Sequence, residues 1–122
     1  MSLFKKILGR EGEDRAAKYL SRAGYRIIDR NYSTRSGEID LVALDRGELV
    51  FIEVKTRSSD AYGSPELAVN QRKQGRMVKA ALAYIKYKKL HQYPCRFDVV
   101  AISGGEEVQL IRNAFEMDRT NF

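Results

Sequence analysis

The segment GEIDLVALDRGELVFIEVKTR (37–57) constrains the fold of this chain more than any other, because it has the pattern of a β-hairpin. Apolar residues dominate 39–44 and 48–56, and the short segment 45–47 between them provides a turn. Charged residues nevertheless stand where a strand usually carries Val or Thr. These residues are Glu38, Asp40, Glu53 and Lys55. A hairpin near the centre of a small domain needs a physical reason to carry them.

The length of the turn decides which residues face each other. A two-residue turn at 46–47, or a four-residue loop from 45 to 48, pairs Leu44 with Leu49 and Leu41 with Ile52. A three-residue loop would shift the register by one residue and place the charged side chains of the two strands on opposite faces. We therefore expect the register in which the apolar residues of both strands meet.

The same register sets Asp40 opposite Glu53, and Glu38 opposite Lys55, with Cβ atoms about 5 Å apart. At an effective dielectric of about 20, two carboxylates at that separation repel by roughly 3 kcal/mol. A domain with about 5 to 15 kcal/mol of net stability does not carry such a pair without compensation. Lys55 compensates in part, and Mg²⁺ would do so fully, since it prefers oxygen ligands and keeps positions for phosphate oxygens. The alternative is an exposed face of Glu–Lys pairs, which explains Glu38 with Lys55 but not Asp40 with Glu53.

The remaining signals predict one α/β domain over 1–122, with element order αβββαββ and a central mixed sheet of about five strands flanked by helices. The other elements are expected as helices at 9–22 and 70–90, the second capped by Asn70, and strands at 25–32, 97–102 and 107–111. The inward stripe of the first helix contains Ala16, Ala17 and Leu20, and helical spacing adds Glu13 to it. The alternative role for Glu13 is to complement the positive end of the helix dipole.

The second predicted helix should bury one face and present a strongly basic surface. Its buried face is expected to contain Met77, Val78, Ala81, Tyr84, Ile85 and Lys88. The chain has a formal net charge of +6, and no acidic residue occurs from Leu67 to Phe97. Such a one-signed helix repels itself, so it favours a polyanionic partner over a role in stability. The alternative is a solvated, solubilising face. The candidate nucleic-acid-binding residues are Gln71, Arg72, Lys73, Arg76 and Lys79.

Other functional classes find little support. A single Cys and a single His are too few for a zinc site, and one Cys forms no internal disulfide. No apolar run has the length of a membrane span, and the N-terminus lacks the apolar core of a signal peptide. We expect a cytoplasmic protein without a membrane partner.

An acid on one strand, followed after a turn by E-x-K on the next, resembles the active-site signature of the restriction-endonuclease-like, PD-(D/E)xK, superfamily of metal-dependent nucleases. The matching residues are Asp40 and Glu53-Val54-Lys55. That superfamily often adds an acid from an upstream helix, which corresponds to Glu13. The triplet alone is common, so the strand-turn-strand context carries most of its specificity.

The chain as a whole is similar to the YraN-like family of small bacterial proteins, whose fold resembles that of archaeal Holliday-junction resolvases. The resemblance extends over nearly the full length. Its motifs are GREGEDRAAKYL, RNY, GEIDLVA, VFIEVKTR, GSPELAV, RKQ, RFDVVAI and NAF.

The resemblance implies a restriction-endonuclease-like fold and a Mg²⁺- or Mn²⁺-dependent endonuclease that acts on structured, branched DNA, as a homodimer. Asp40, Glu53 and the Val54 carbonyl would hold the metal, and Glu13 would bind it through a water or a second ion. Lys55 would orient the attacking water or stabilise charge on the phosphate. The basic helix would contact phosphates without reading sequence. The alternative is a nucleic-acid-binding module with this fold and no turnover.

Overall fold

The structure, a computed structural model, describes residues 3–56, 70–103 and 107–117, with side chains from residue 9 onward. The elements are α1 (Leu3–Arg22), β1 (Arg26–Thr34), β2 (Gly37–Asp45), β3 (Glu48–Thr56), α2 (Gln71–Lys88), β4 (Cys95–Ile102) and β5 (Val108–Phe115). The predicted order αβββαββ is confirmed. The GSPELAV motif lies outside the described residues.

The five strands form one mixed sheet in the order β1-β2-β3-β4-β5. Neighbouring strands are antiparallel except β3 and β4, which are parallel and are connected through α2. The β2–β3 turn has two residues with positive φ, 52° at Arg46 and 83° at Gly47, as a type I′ hairpin turn requires. It sets the predicted register, in which Leu44 pairs with Leu49.

The two helices cover opposite faces of the sheet, and each face has its own apolar core. On the α1 face, Ala16, Ala17 and Leu20 pack against alternate residues of β2, β3 and β4. On the α2 face, the buried residues of the helix pack against the other set, which includes Phe51 and Phe97. The strands are therefore covered on both sides, which explains the nearly continuous apolar runs of β3 and β4.

The predicted buried face of α2 is correct except at its C-terminal end. Tyr84 is buried and makes edge-to-face contacts with Tyr32 and Phe51. Lys88, which was predicted to share this face, is exposed in the last turn of the helix. The helix ends there because Lys89 takes a left-handed conformation, and its N–H caps the carbonyls of the final turn.

Two glycines permit the close approach of helices to the sheet. A Cβ at Gly12 would collide with Oγ1 of Thr56, at the end of β3. A Cβ at Gly37 would lie 2.6 Å from the backbone oxygen of Arg76 in α2. Both contacts are at the same end of the sheet, where β2 begins and β3 ends. Small residues there bring α1 and α2 close to the charged positions of the hairpin.

Candidate functional site

Asp40 and Glu53 meet where β2 and β3 stop pairing. The ladder between the two strands runs from Asp45–Glu48 to Leu41–Ile52. Beyond it, the backbone N–H of Val54 donates a hydrogen bond to Oδ2 of Asp40 at 2.8 Å. The Asp40 side chain thus occupies the place of a backbone acceptor. The predicted proximity of the two acids arises from this side-chain hydrogen bond and not from an extended ladder.

The two carboxylates are buried against each other, with only 8% of Asp40 and 4% of Glu53 exposed. Burial, followed by the negative charge of Glu53, raises the pKa of Asp40 to about 8. The hydrogen bond from Val54 opposes this effect, and the charge of Glu13 adds to it. Near neutral pH, without a bound cation, Asp40 therefore keeps a proton.

Two lysines neutralise the Glu53 carboxylate. Lys73, from the first turn of α2, forms an ion pair with Oε1 of Glu53. Lys55 Nζ lies 3.8 Å from the same oxygen. Burial and the neighbouring Lys73 ammonium lower the pKa of Lys55. Burial is the largest single effect and acts to lower the pKa of Lys73 as well, but the hydrogen bonds of Lys73 and the charges of Glu53 and Asp40 together outweigh it, so the pKa of Lys73 is raised.

Lys73 was predicted only as a nucleic-acid contact, so its pairing with Glu53 was missed. The cap that the sequence predicts at Asn70 is confirmed, because its side chain accepts a hydrogen bond from the Lys73 backbone N–H. The sequence does not indicate that this first turn of α2 lies over the end of β3. The predicted opposition of Glu38 and Lys55 is not observed, because the β2–β3 ladder ends at Leu41–Ile52. On its other side, Glu38 pairs with Ser33 of β1.

Glu13 lies near the acidic pair but on the α1 side of the sheet. Its side chain is half-buried and hydrogen-bonds to Asn31, a β1 residue with a φ of 52°. Burial raises the pKa of Glu13, the Asn31 hydrogen bond lowers it, and the charge of Glu38 raises it again. The predicted inward orientation of Glu13 is confirmed.

A cleft of about 580 Å³ opens from Asp40 and Glu53 on the α2 side. Its wall includes three of the five predicted nucleic-acid-binding residues, Arg72, Lys73 and Arg76. The other two, Gln71 and Lys79, are exposed on α2 and are not among the described residues that line the cleft. The acidic floor and the basic wall therefore belong to a single concave site.

The site offers few oxygen ligands for a small divalent cation. Within 3–56, 70–103 and 107–117, no group of three or more Asp, Glu, His or Cys side chains is arranged to hold a metal ion. The described carboxylates that line the cleft are those of Asp40, Glu53 and Glu38, and Val54, whose carbonyl the resemblance adds, is not among the lining residues. Mg²⁺ commonly uses one or two protein carboxylates and retains several waters, so this set suffices. Glu13 lies outside it and would act through a water.

The model of the uncharacterised protein family UPF0102 matches residues 12–102 of the chain. The chain belongs to this family. The UPF0102 protein of Syntrophus aciditrophicus (strain SB) is 51% identical over 112 residues, which cover 89% of this chain and 88% of that protein. Its counterpart in Clostridium perfringens (strain SM101 / Type A) is 41% identical over 122 residues, covering 96% and 100%. These similarities confirm the family inferred from the motifs.

The RFDVVAI motif of this UPF0102 chain forms a second polar cluster, which the sequence did not reveal. Arg96 contacts Asp45 at 2.7 Å, Glu48 at 3.1 Å and Asp98 at 3.1 Å. The Tyr25 hydroxyl donates to Asp98 at 2.8 Å. This Arg96 cluster, formed by Tyr25, Asp45, Glu48, Arg96 and Asp98, lies at the start of β4, at the opposite end of the sheet from the cleft. The alternation of Arg96 and Asp98 on one face of a strand was the available signal.

No helix in the part of the chain that the structure describes is both long and apolar enough to cross a membrane.

Proposed function

We propose that this protein is a Mg²⁺- or Mn²⁺-dependent endonuclease that hydrolyses phosphodiester bonds in branched DNA. The observation that carries the proposal is the buried Asp40–Glu53 pair at the floor of a cleft with arginines and a lysine on its wall. The β-hairpin, the E-x-K triplet and the acid from α1 support a place in the restriction-endonuclease-like superfamily. They also support a likeness to archaeal Holliday-junction resolvases.

Asp40, Glu53 and the Val54 carbonyl would hold the divalent cation, and Glu13 would contribute through a water. A bound cation would polarise the phosphoryl group and favour ionisation of a water next to it. Lys55 Nζ, whose pKa is lowered, is suited to exchange a proton with the attacking water or to stabilise charge on the phosphate.

Arg72 and Arg76 would hold the phosphate backbone on either side of the scissile bond. Contacts of this kind give affinity that depends on salt and not on base sequence. A substrate recognised by its branched shape fits such a surface. Cleavage of a symmetric junction also requires two matched sites, and therefore a two-fold dimer.

The test is a cleavage assay on a four-way junction, a flap, a linear duplex and a single strand, with Mg²⁺, Mn²⁺ or a chelator. We expect metal-dependent cutting of the branched substrates. Asp40→Asn and Glu53→Gln should each reduce the rate at least about a hundredfold, since each removes a metal ligand. Both variants should still bind DNA. Equal activity of wild type and both variants would refute the assigned site.

A second candidate is a DNA-binding module without turnover. It is favoured by the Lys73–Glu53 ion pair, which already supplies a cation to the acidic pair, and by the small number of acids in the described cluster. This candidate predicts tight, salt-dependent binding of branched DNA, no cleavage with either metal, and no effect of Asp40→Ala on binding. Replacing Arg72 should reduce the salt slope by about one phosphate contact under either candidate.

A further inference from the structure

The ammonium of Lys73 occupies the position at Glu53 where a metal ion would be expected. Its side chain is 38% exposed, whereas that of Glu53 is 5% exposed, so the pair lies at the boundary between the cleft and the interior. A carboxylate buried to this degree requires a positive partner. In the absence of metal, the closer positive partner of Glu53 is Lys73, and Lys55 is more distant.

The position of Lys73 is fixed by the fold. It stands in the first turn of α2, where its backbone N–H donates to the capping side chain of Asn70 at 2.9 Å. The same helix is held against β2 by the close approach of Arg76 to Gly37. The long side chain of Lys73 can move away from Glu53, but its place in the first turn of α2 keeps it within the cleft.

We propose that Lys73 is the counter-ion of Glu53 in the metal-free protein, and that a divalent cation binds to Asp40 and Glu53 by displacing the Lys73 ammonium. This inference rests on the proposed metal site and adds a positioning role for Lys73. An ammonium and a divalent cation repel each other strongly when both contact one carboxylate oxygen. The displaced ammonium remains in the cleft beside Arg72, where it would add positive charge for a phosphate. Metal binding would thereby prepare the cleft for DNA.

The experiment measures Mn²⁺ affinity by calorimetric titration for the full chain and three variants. Lys73→Gln removes the competing ammonium and should bind Mn²⁺ about tenfold more tightly, the equivalent of one charge-assisted hydrogen bond. Lys73→Arg retains the charge and should bind like the wild type. Arg72→Gln is the matched control, because it removes one positive charge from the same cleft without removing the partner of Glu53. Its affinity should change less than about twofold.

A second readout separates competition from a general effect on folding. Without metal, Lys73→Gln should melt at a lower temperature than the wild type, because Glu53 loses its partner. At saturating Mn²⁺ it should gain more stability than the wild type, because no ion pair has to be broken. The variant thus has opposite effects on the metal-free protein and on metal binding.

Two results would overturn the inference while the proposed metal site stands. These are unchanged Mn²⁺ affinity in Lys73→Gln, or an equal gain in Arg72→Gln, which would show only the loss of long-range repulsion. Failure of every protein, including the wild type, to bind Mn²⁺ would overturn the metal site and this inference with it. Binding by the wild type therefore distinguishes the two failures.

Discussion

The two ends of the sheet both bury acidic residues, and they satisfy them in opposite ways. At the Arg96 end, the fully buried Asp98 accepts hydrogen bonds from Arg96, from the Tyr25 hydroxyl and from the backbone N–H of Asn113. At the cleft end, Asp40 faces another acid, and the charge of Glu53 helps to raise its pKa to about 8. At the first end an arginine and neutral donors surround the acids, whereas at the second end one acid adjoins another acid.

This is the difference that we expect between a cluster that serves the fold and the binding site proposed above. Burial of charge is expensive unless each group is paired, so an internally paired cluster serves the fold. An acid whose pKa is raised by burial and by a neighbouring negative charge, as for Asp40, is a recognised sign of a functional site. The same residue types thus have different roles according to their partners. Four measurements can test whether the contrast holds.

The largest expected effect is the loss of Arg96, whose side chain is 11% exposed. Arg96→Met leaves Asp45 and Asp98 buried without their cation, and should reduce the free energy of unfolding by about 3 to 5 kcal/mol. Urea denaturation measures the change. The control is Arg30→Met, which breaks an exposed ion pair with Asp14 and should lose at most about 1 kcal/mol. Equal losses would contradict a structural role for the Arg96 cluster.

Stabilisation by a divalent metal should depend on the acids of the cleft and not on those of the Arg96 cluster. At a Mn²⁺ concentration about a hundred times Kd, the wild type should gain roughly 2.7 kcal/mol of stability, seen as a rise in Tm. Glu53→Gln should abolish the gain, since it removes a ligand. Glu48→Gln, which changes an acid of the Arg96 cluster in the same way, should preserve it. A gain that survives Glu53→Gln would place the metal elsewhere.

The pH dependence of stability should identify the perturbed acid. Because the folded pKa of Asp40 is raised from 3.8 to about 8, the folded protein keeps a proton that the unfolded chain releases. Stability without metal should therefore be greatest below the unfolded pKa and decrease, by at most about 1.4 kcal/mol per pH unit, as the pH rises toward about 8.

Asp40→Asn removes this decrease, because the amide is neutral at every pH and still accepts from Val54. The variant should be similar in stability to the metal-free wild type near pH 4, and more stable than it by an amount that grows with each pH unit toward pH 8. Urea titrations at a series of pH values measure both proteins. Parallel curves would show that Asp40 does not carry the perturbed pKa.

The smallest effect should come from the exposed member of the Arg96 cluster. Glu48 lies 3.1 Å from Arg96, but its side chain is 41% exposed. Glu48→Gln should therefore change the free energy of unfolding by less than about 1 kcal/mol, because water replaces the lost partner. A loss as large as that of Arg96→Met would mean that exposure does not control the strength of these pairs.

The sequence by itself determined the features that depend on neighbouring residues. The two-residue turn at Arg46-Gly47 fixed the register of β2 and β3 as far as Leu41 and Ile52. Helical spacing placed Glu13 on the inner face of α1, and the cap at Asn70 set the start of α2. Each of these follows from local backbone geometry, which acts over a few residues.

Only the tertiary structure decided which charges pair. Lys73 reaches Glu53 because α2 crosses from β3 to the parallel strand β4. Arg96 reaches Glu48 because β4 lies beside β3, and it reaches Asp45 because Asp45 pairs with Glu48. None of these contacts has a signal in local periodicity, since the partners are far apart in sequence and every lysine or arginine of α2 was an equal candidate. Charge attraction leaves no periodic signal in the sequence, so which charges pair depends on the packing that brings the elements together.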